Sequence, residues 1–143
     1  MFIGRYYHRL ESKGRLSLPK TFRHQQPNWV LTRGFEGCLF LLPFKEFEKN
    51  LSLIAAQTFT NKNQRELTRL LTNDAKEVKP DSLGRISVPD YLITQAGLDK
   101  QVVIVGSFQY IEIWDQDKYH QHLDALSPDA EKIAEQIVIE SKS

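Results

Sequence analysis

Polar and apolar positions alternate from Arg15 to Leu18, so Leu16 and Leu18 face one way and Arg15 and Ser17 the other, as on a half-buried strand. Phe2 to Leu10 reads as the strand before it, with Ser12-Lys13-Gly14 as a hairpin turn in which Gly14 can take positive φ. This presents Arg15 outward at the turn. Pro19 lacks an amide hydrogen and suits a strand end or a first helical turn, and Lys20 to Gln26 reads as one or two turns of helix. Trp29 to Arg33 and Cys38 to Leu42 are apolar runs of strand length, with Gly34 and Gly37 bracketing the turn of a second hairpin. Phe44, Phe47, Leu51 and Ile54 then recur at spacings of 3, 4 and 3, which predicts an amphipathic helix lying on the sheet.

The pattern repeats. Gly14-Arg15-Leu16-Ser17-Leu18-Pro19 returns seventy positions later as Gly84-Arg85-Ile86-Ser87-Val88-Pro89. At an offset of 72, Gly34 matches Gly106, Leu39 and Leu41 match Ile111 and Ile113, Phe47 matches Tyr119, and Leu51 matches Leu123. The chain therefore divides into a first unit over 5–47, a linker over 48–75 whose Leu67, Leu70 and Leu71 mark a helix, a second unit over 76–119, and a C-terminal helix and tail over 120–143. In that tail Ser127-Pro128-Asp129 supplies an N-cap, an N1 proline and an early acid for a helix bearing Ile133 and Ile137, with its last residues fraying. Each unit is too small to enclose much core. The two are expected to interlock about a pseudo-two-fold axis into a barrel-like sheet, leaving apolar helices to join neighbouring subunits.

A normal apolar fraction of 41%, with 7 Gly, 6 Pro and 1 Cys in 143 residues, excludes disordered, collagen-like and disulfide-scaffold classes. The longest apolar runs fall far short of the roughly 20 residues that span a bilayer, and the amino terminus carries no secretory pattern, so no membrane role is expected and a bacterial-type cytoplasm is the default. The net charge of +1 conceals an asymmetry: residues 1–72 hold 12 Lys+Arg against 5 Asp+Glu, and residues 73–143 hold 7 against 13. Such ends can steer one copy onto another or leave a face for a polyanion such as nucleic acid.

Catalysis has little to stand on. His120 and His122 are two apart and would diverge on a helix, so no metal site is expected. Cys38 reads as a buried structural thiol, no nucleophile or phosphate-loop motif occurs, and no cofactor or small-molecule substrate is expected. The cations are more informative. Arg5, Arg9, Lys13, Arg15, Lys20 and Arg23 cluster around the first turn with only Glu11 opposing, whereas their counterparts seventy residues on are Ala75, Lys79, Leu83, Arg85, Asp90 and Ile93. Shared residues then serve the scaffold, and unshared charges serve a partner. By that rule Lys13, Arg5, Arg9 and Arg23 are the contact candidates, while Arg15 is shared with Arg85 yet lies in the basic cluster; Lys13 and Arg15 are taken as the leading DNA contacts, Arg5 and Arg9 as supporting phosphate contacts, and Arg23 as a weaker one. Arg15 could instead pair with Glu11, and Arg85, with Asp81 four residues before it, reads as structural. An arginine here could fork onto guanine in a major groove wide enough for a two-stranded ribbon.

The segments ESKGRLSLP (11 to 19), LTRGFEGCLFLLP (31 to 43), RLLTNDAKEVKPDSLGRISVP (69 to 89), AGL (96 to 98), VVIVG (102 to 106) and EIWD (112 to 115) resemble the MraZ family of bacterial regulators, built from two domains of the SpoVT-AbrB type. The resemblance runs from Met1 to about Leu126. It implies an α+β fold, a double swapped-hairpin (AbrB-like) β-barrel made of two internal repeats with flanking helices. It also implies a ring-shaped homo-oligomer that binds double-stranded DNA at direct repeats upstream of its own division and cell wall gene cluster, usually as a repressor, in the cytoplasm with the nucleoid. The family's D-x-x-G-R motif is matched by Asp81 to Arg85, while the first copy has Glu11 in place of the Asp. Two other classes remain: an antitoxin-like protein-interaction module of the same fold that does not read DNA, and a metal-dependent nucleic-acid hydrolase.

Overall fold

The computed structural model describes residues 1–58 and 60–142, and the side chains of all of these except 138–142. Among the described residues eight strands form: β1 (Arg5–Arg9), β2 (Arg15–Ser17), β3 (Trp29–Arg33), β4 (Leu39–Pro43), β5 (Lys76–Val78), β6 (Arg85–Ser87), β7 (Gln101–Gly106) and β8 (Ile111–Asp115). The helices are α1 (Lys20–Arg23), α2 (Phe44–Ala55), α3 (Lys62–Asn73), α4 (Asp90–Ala96), α5 (Gln116–Leu126) and α6 (Ala130–Lys142).

The β3–β4 hairpin forms as its apolar runs and bracketing glycines predict, and β7–β8 forms its counterpart in the second repeat. The remaining pairings cross between repeats. β1 pairs with β7, β2 with β6, and β4 with β8, all antiparallel, which gives a six-stranded sheet in the order β1-β7-β8-β4-β3-β5 and a separate two-stranded ribbon β2-β6. Two expectations change as a result. Ser12 to Gly14 closes no hairpin ladder, because β1 and β2 belong to different sheets. The barrel is also not closed: β1 and β5 remain edges, and the short ribbon packs on the sheet without joining either.

What holds the two layers together is a single core. The ribbon contributes Leu16, Leu18, Ile86 and Val88, and the sheet contributes Leu31, Leu39, Leu41, Ile104, Ile111 and Ile113, all of them buried. Burying each such side chain is worth about 1.5–3 kcal/mol, so neither repeat would keep its share of the core alone. The ribbon ends are tied with matching bonds: the Leu18 amide donates to the Gly84 carbonyl at 2.9 Å, and the Val88 amide to the Gly14 carbonyl at 2.8 Å. Leu18 and Val88 are repeat counterparts, so the pseudo-two-fold axis passes through the ribbon.

The helices depart from the sequence reading in two places, while α1 makes one of the one or two turns expected and ends at Arg23. α2 covers the sheet incompletely, with no fully buried residue and Phe44 exposed. Ser127 does not cap α6; its hydroxyl donates back to the Leu123 carbonyl at 2.8 Å and closes α5, while Ser127–Asp129 makes a tight 3-10 turn. The fraying expected of the last residues lies outside the described residues. α3 is fastened to β3, since Thr32 Oγ1 donates to the Leu71 carbonyl at 2.8 Å and Arg33 pairs with Asp74 at 2.9 Å. No described helix is long and apolar enough to cross a membrane.

Candidate nucleic-acid interface

The ribbon's register places Arg15 opposite Ser87 and Ser17 opposite Arg85, with Leu16 and Ile86 paired between them and buried. Alternation along a strand then puts Arg15, Ser17, Arg85 and Ser87 together on the outward face. The two motif arginines stand at opposite ends of that face. Sequence reasoning ranked Arg15 as a contact and Arg85 as scaffold, and did not see that they share one surface. The signal was available: a motif paired antiparallel with its own repeat brings equivalent residues onto one side.

The turns beside these arginines are built differently. In the second, Asp81 Oδ1 accepts from the amides of Leu83 at 2.9 Å and Arg85 at 3.0 Å, and Oδ2 accepts from Arg85 Nε at 3.3 Å. The Arg85 amide, then that of Leu83 and the guanidinium, hold the Asp81 carboxyl below the usual aspartate value. Glu11, one methylene longer, makes no such closure in the first turn. Its Oε2 crosses to Arg85 Nη1 at 3.4 Å, so both acids serve the same arginine. The first turn instead puts Lys13 at φ 62 and Gly14 at φ 71. Left-handed backbone is uncommon for a lysine and costs energy. Lys13 is exposed and Arg15 half-exposed, and among the described residues neither has an ion pair; the same holds for Arg9 and Lys20.

The other cations named from the sequence lie elsewhere. Arg5 and Arg9 project from edge strand β1, on the face opposite half-buried Tyr6 and His8. Arg5 Cζ sits 5.5 Å from the centroid of the Tyr119 ring, and Tyr7, two residues on along the same strand face, has its hydroxyl 3.0 Å from His120 Nε2. Tyr7 and then Tyr119 raise the Arg5 pKa. Arg23 reaches across the pseudo-axis. Its Nη1 donates to the Leu18 carbonyl at 2.8 Å, and its guanidinium lies so close over Gly84 that a Cβ there would sit 2.6 Å from Arg23 Cζ.

Cys38 is buried, its Sγ donating to the Phe35 carbonyl at 3.3 Å, and burial followed by the charges of Glu112 and Glu36 pushes its thiol pKa far up, which leaves it protonated and inert. Among the described residues no group of three or more His, Cys, Asp and Glu could hold a metal ion.

Two interlocked repeats and a shared ribbon define the swapped-hairpin, AbrB-like class of α+β protein. A family model described as "MraZ protein, putative antitoxin-like" matches residues 1–70 and again 71–138, so each copy of the repeat is matched in its own right. The chain belongs to the MraZ family. It is similar to proteins named "Transcriptional regulator MraZ" from Lactobacillus delbrueckii subsp. bulgaricus, at 41% identity over 138 residues and 96% of each chain, and from Carboxydothermus hydrogenoformans, at 37% over 139 residues, 96% of this chain and 97% of the relative. A protein of the same name from Kineococcus radiotolerans is 38% identical over 129 residues, 90% of each chain. The family is one of transcriptional regulators, not of enzymes.

Proposed function

We propose that this protein is a sequence-specific DNA-binding regulator, a repressor of its own promoter and of the division and cell wall gene cluster, acting in the cytoplasm at the nucleoid as a ring-shaped homo-oligomer. The observation that carries the reading is the unequal charge of the ribbon's two ends. Arg85 is neutralised by Asp81 and Glu11, while Arg15 and Lys13 stand without an acid partner among the described residues on the same exposed surface. In this reading Arg15 reads base edges, Lys13 and Arg9 hold phosphates, and Arg5 assists from the strand edge. Arg23 contributes by holding the second turn against the ribbon end. Several copies in a ring, each offering one ribbon, would engage successive operator repeats with the gain of high effective concentration.

Binding to the protein's own upstream DNA across a salt series tests this. Each neutralised phosphate contributes about −0.9 to the slope of log K against log salt, and a flat slope dismisses backbone contact. The antitoxin-like reading, which the description of the family model also carries, expects affinity for an acidic protein and none for duplex DNA at low salt.

A further inference from the structure

We propose that helix α6 of one copy docks in the apolar groove bounded by α2, α3 and the sheet of a second copy. The proposal rests on the homo-oligomer of the preceding reading and names its surface.

Two features of the same chain each lack a partner among the described residues. The first is α6. Every described side chain from Asp124 to Ile137 is exposed, including Ile133 at 40% and Ile137 at 61%. Ala130, Ile133, Ala134 and Ile137 fall at helical spacing on one stripe. A helix of 13 residues with no described residue packed on the apolar stripe from Ala130 to Ile137 is marginal in water, so this one is built to be covered. The second is a groove of about 520 Å³ lined by Phe40, Phe47, Leu51, Ile54, Leu67 and Phe108 among others. It exists because α2 covers the sheet only in part. Phe108, at its rim, holds φ 70 and is 60% exposed. A bulky residue in left-handed backbone is costly, and here it places an aromatic ring in solvent beside an apolar trough.

Charge fits the pair together. The segment 124–137 carries four acidic side chains against one lysine, whereas α2 and α3 carry five basic against three acidic. The groove is lined mainly by the first repeat and the linker helix, with the Ser107 to Tyr110 turn at its edge, and α6 follows the second repeat, so a helix-in-groove contact joins unlike ends of two chains. Such a head-to-tail contact builds a ring when its rotation closes.

The test uses full-length protein in three arms. Sedimentation velocity compares the natural chain with the double variant Ile133→Asp, Ile137→Asp; self-association should weaken at least about a hundredfold, with the thermal unfolding of the folded body unchanged. In the second arm, Ile137→Cys chains are mixed with Leu53→Cys chains under mild oxidation, and a disulfide-linked dimer should form in the mixture. Cys38 is buried and does not compete. In the third, one chain carrying both cysteines should link between chains. An internal disulfide there, with none in the mixture, would place α6 in its own groove and overturn the proposal. An oligomer unaffected by the aspartates would also overturn it while leaving the homo-oligomer standing. A natural chain that stays monomeric would remove both, and gel-shift binding to operator DNA would still judge the DNA reading separately.

Discussion

Arg23 lays its guanidinium over Gly84, and seventy residues later its counterpart Ile93 covers Gly14, with Cδ1 3.3 Å from where a Cβ would stand. The same scaffold position thus closes the same turn from the opposite repeat, once with a cation and once with an alkyl group. The charge at position 23 is therefore not needed to fill the space. What it adds is the bond to the Leu18 carbonyl, which fixes the end of the ribbon strand that presents Arg15.

Substituting the two glycines should have unequal effects. Both have positive φ, so each alanine carries backbone strain. At Gly14 the new Cβ would meet the Val88 carbonyl oxygen at 2.3 Å, a backbone atom of the residue whose amide already donates to the Gly14 carbonyl. At Gly84 it would meet only the movable Arg23 head. Gly14→Ala should cost about 3 kcal/mol or more and Gly84→Ala about 1–2 kcal/mol. Urea unfolding of both variants measures the difference.

The two motif arginines should separate in DNA binding. Arg15→Ala should lower operator affinity by about 10–100-fold, the discrimination expected of a good base contact. Arg85→Ala should lower it less, because that guanidinium is already shared between Asp81 and Glu11. Its stability cost should stay below about 1 kcal/mol, since these pairs are solvent-screened. Gel-shift titrations of the two variants side by side decide the ranking.

Lys13→Gly should move stability and binding in opposite directions. Glycine takes the φ of 62 without strain, which should stabilise the fold by about 0.5–1 kcal/mol after allowing for the freer unfolded chain. Losing the cation should weaken DNA binding and flatten the salt slope by roughly 0.9. A glycine variant that is more stable and binds equally well would remove Lys13 from the interface.

Acidification should destabilise the protein through His8. Burial lowers its pKa beneath the ordinary 6.5. Just below that value the unfolded chain binds the proton more readily than the native one, so stability falls as pH drops through 6.5 and levels off below the folded pKa. Denaturant unfolding at about pH 7.5 and about pH 5.5 should show the loss, and His8→Gln should reduce it.

Much of the architecture was legible because local patterns carry it. The runs Trp29 to Arg33 and Cys38 to Leu42 read as strands from their length and apolar content, and the repeat of G-R-x-S-x-P announced two copies. Partners were not legible. The alternation from Arg15 to Leu18 fixes which side chains turn inward, yet says nothing about which strand lies alongside, so Ser12 to Gly14 looked like a hairpin when it links two sheets. The destination of Glu11 was hidden for the same reason: its arginine is 74 residues away. Ser127 shows a different limit, since a serine hydroxyl can serve the helix that follows or bond back to a carbonyl of the one before, and here it does the latter. The spacing in α2 gave its apolar stripe correctly but not how much of that stripe the sheet would cover.

The pairing of β1 with β7, Arg5 opposite Val105, also sets a schedule for synthesis. A nascent chain emerging at about 5–20 residues per second exposes its first strand for roughly 5–20 s before the mate has left the ribosome. The fold is thus completed after translation rather than during it, and a message truncated within the second repeat would release a product with an open, adhesive strand edge.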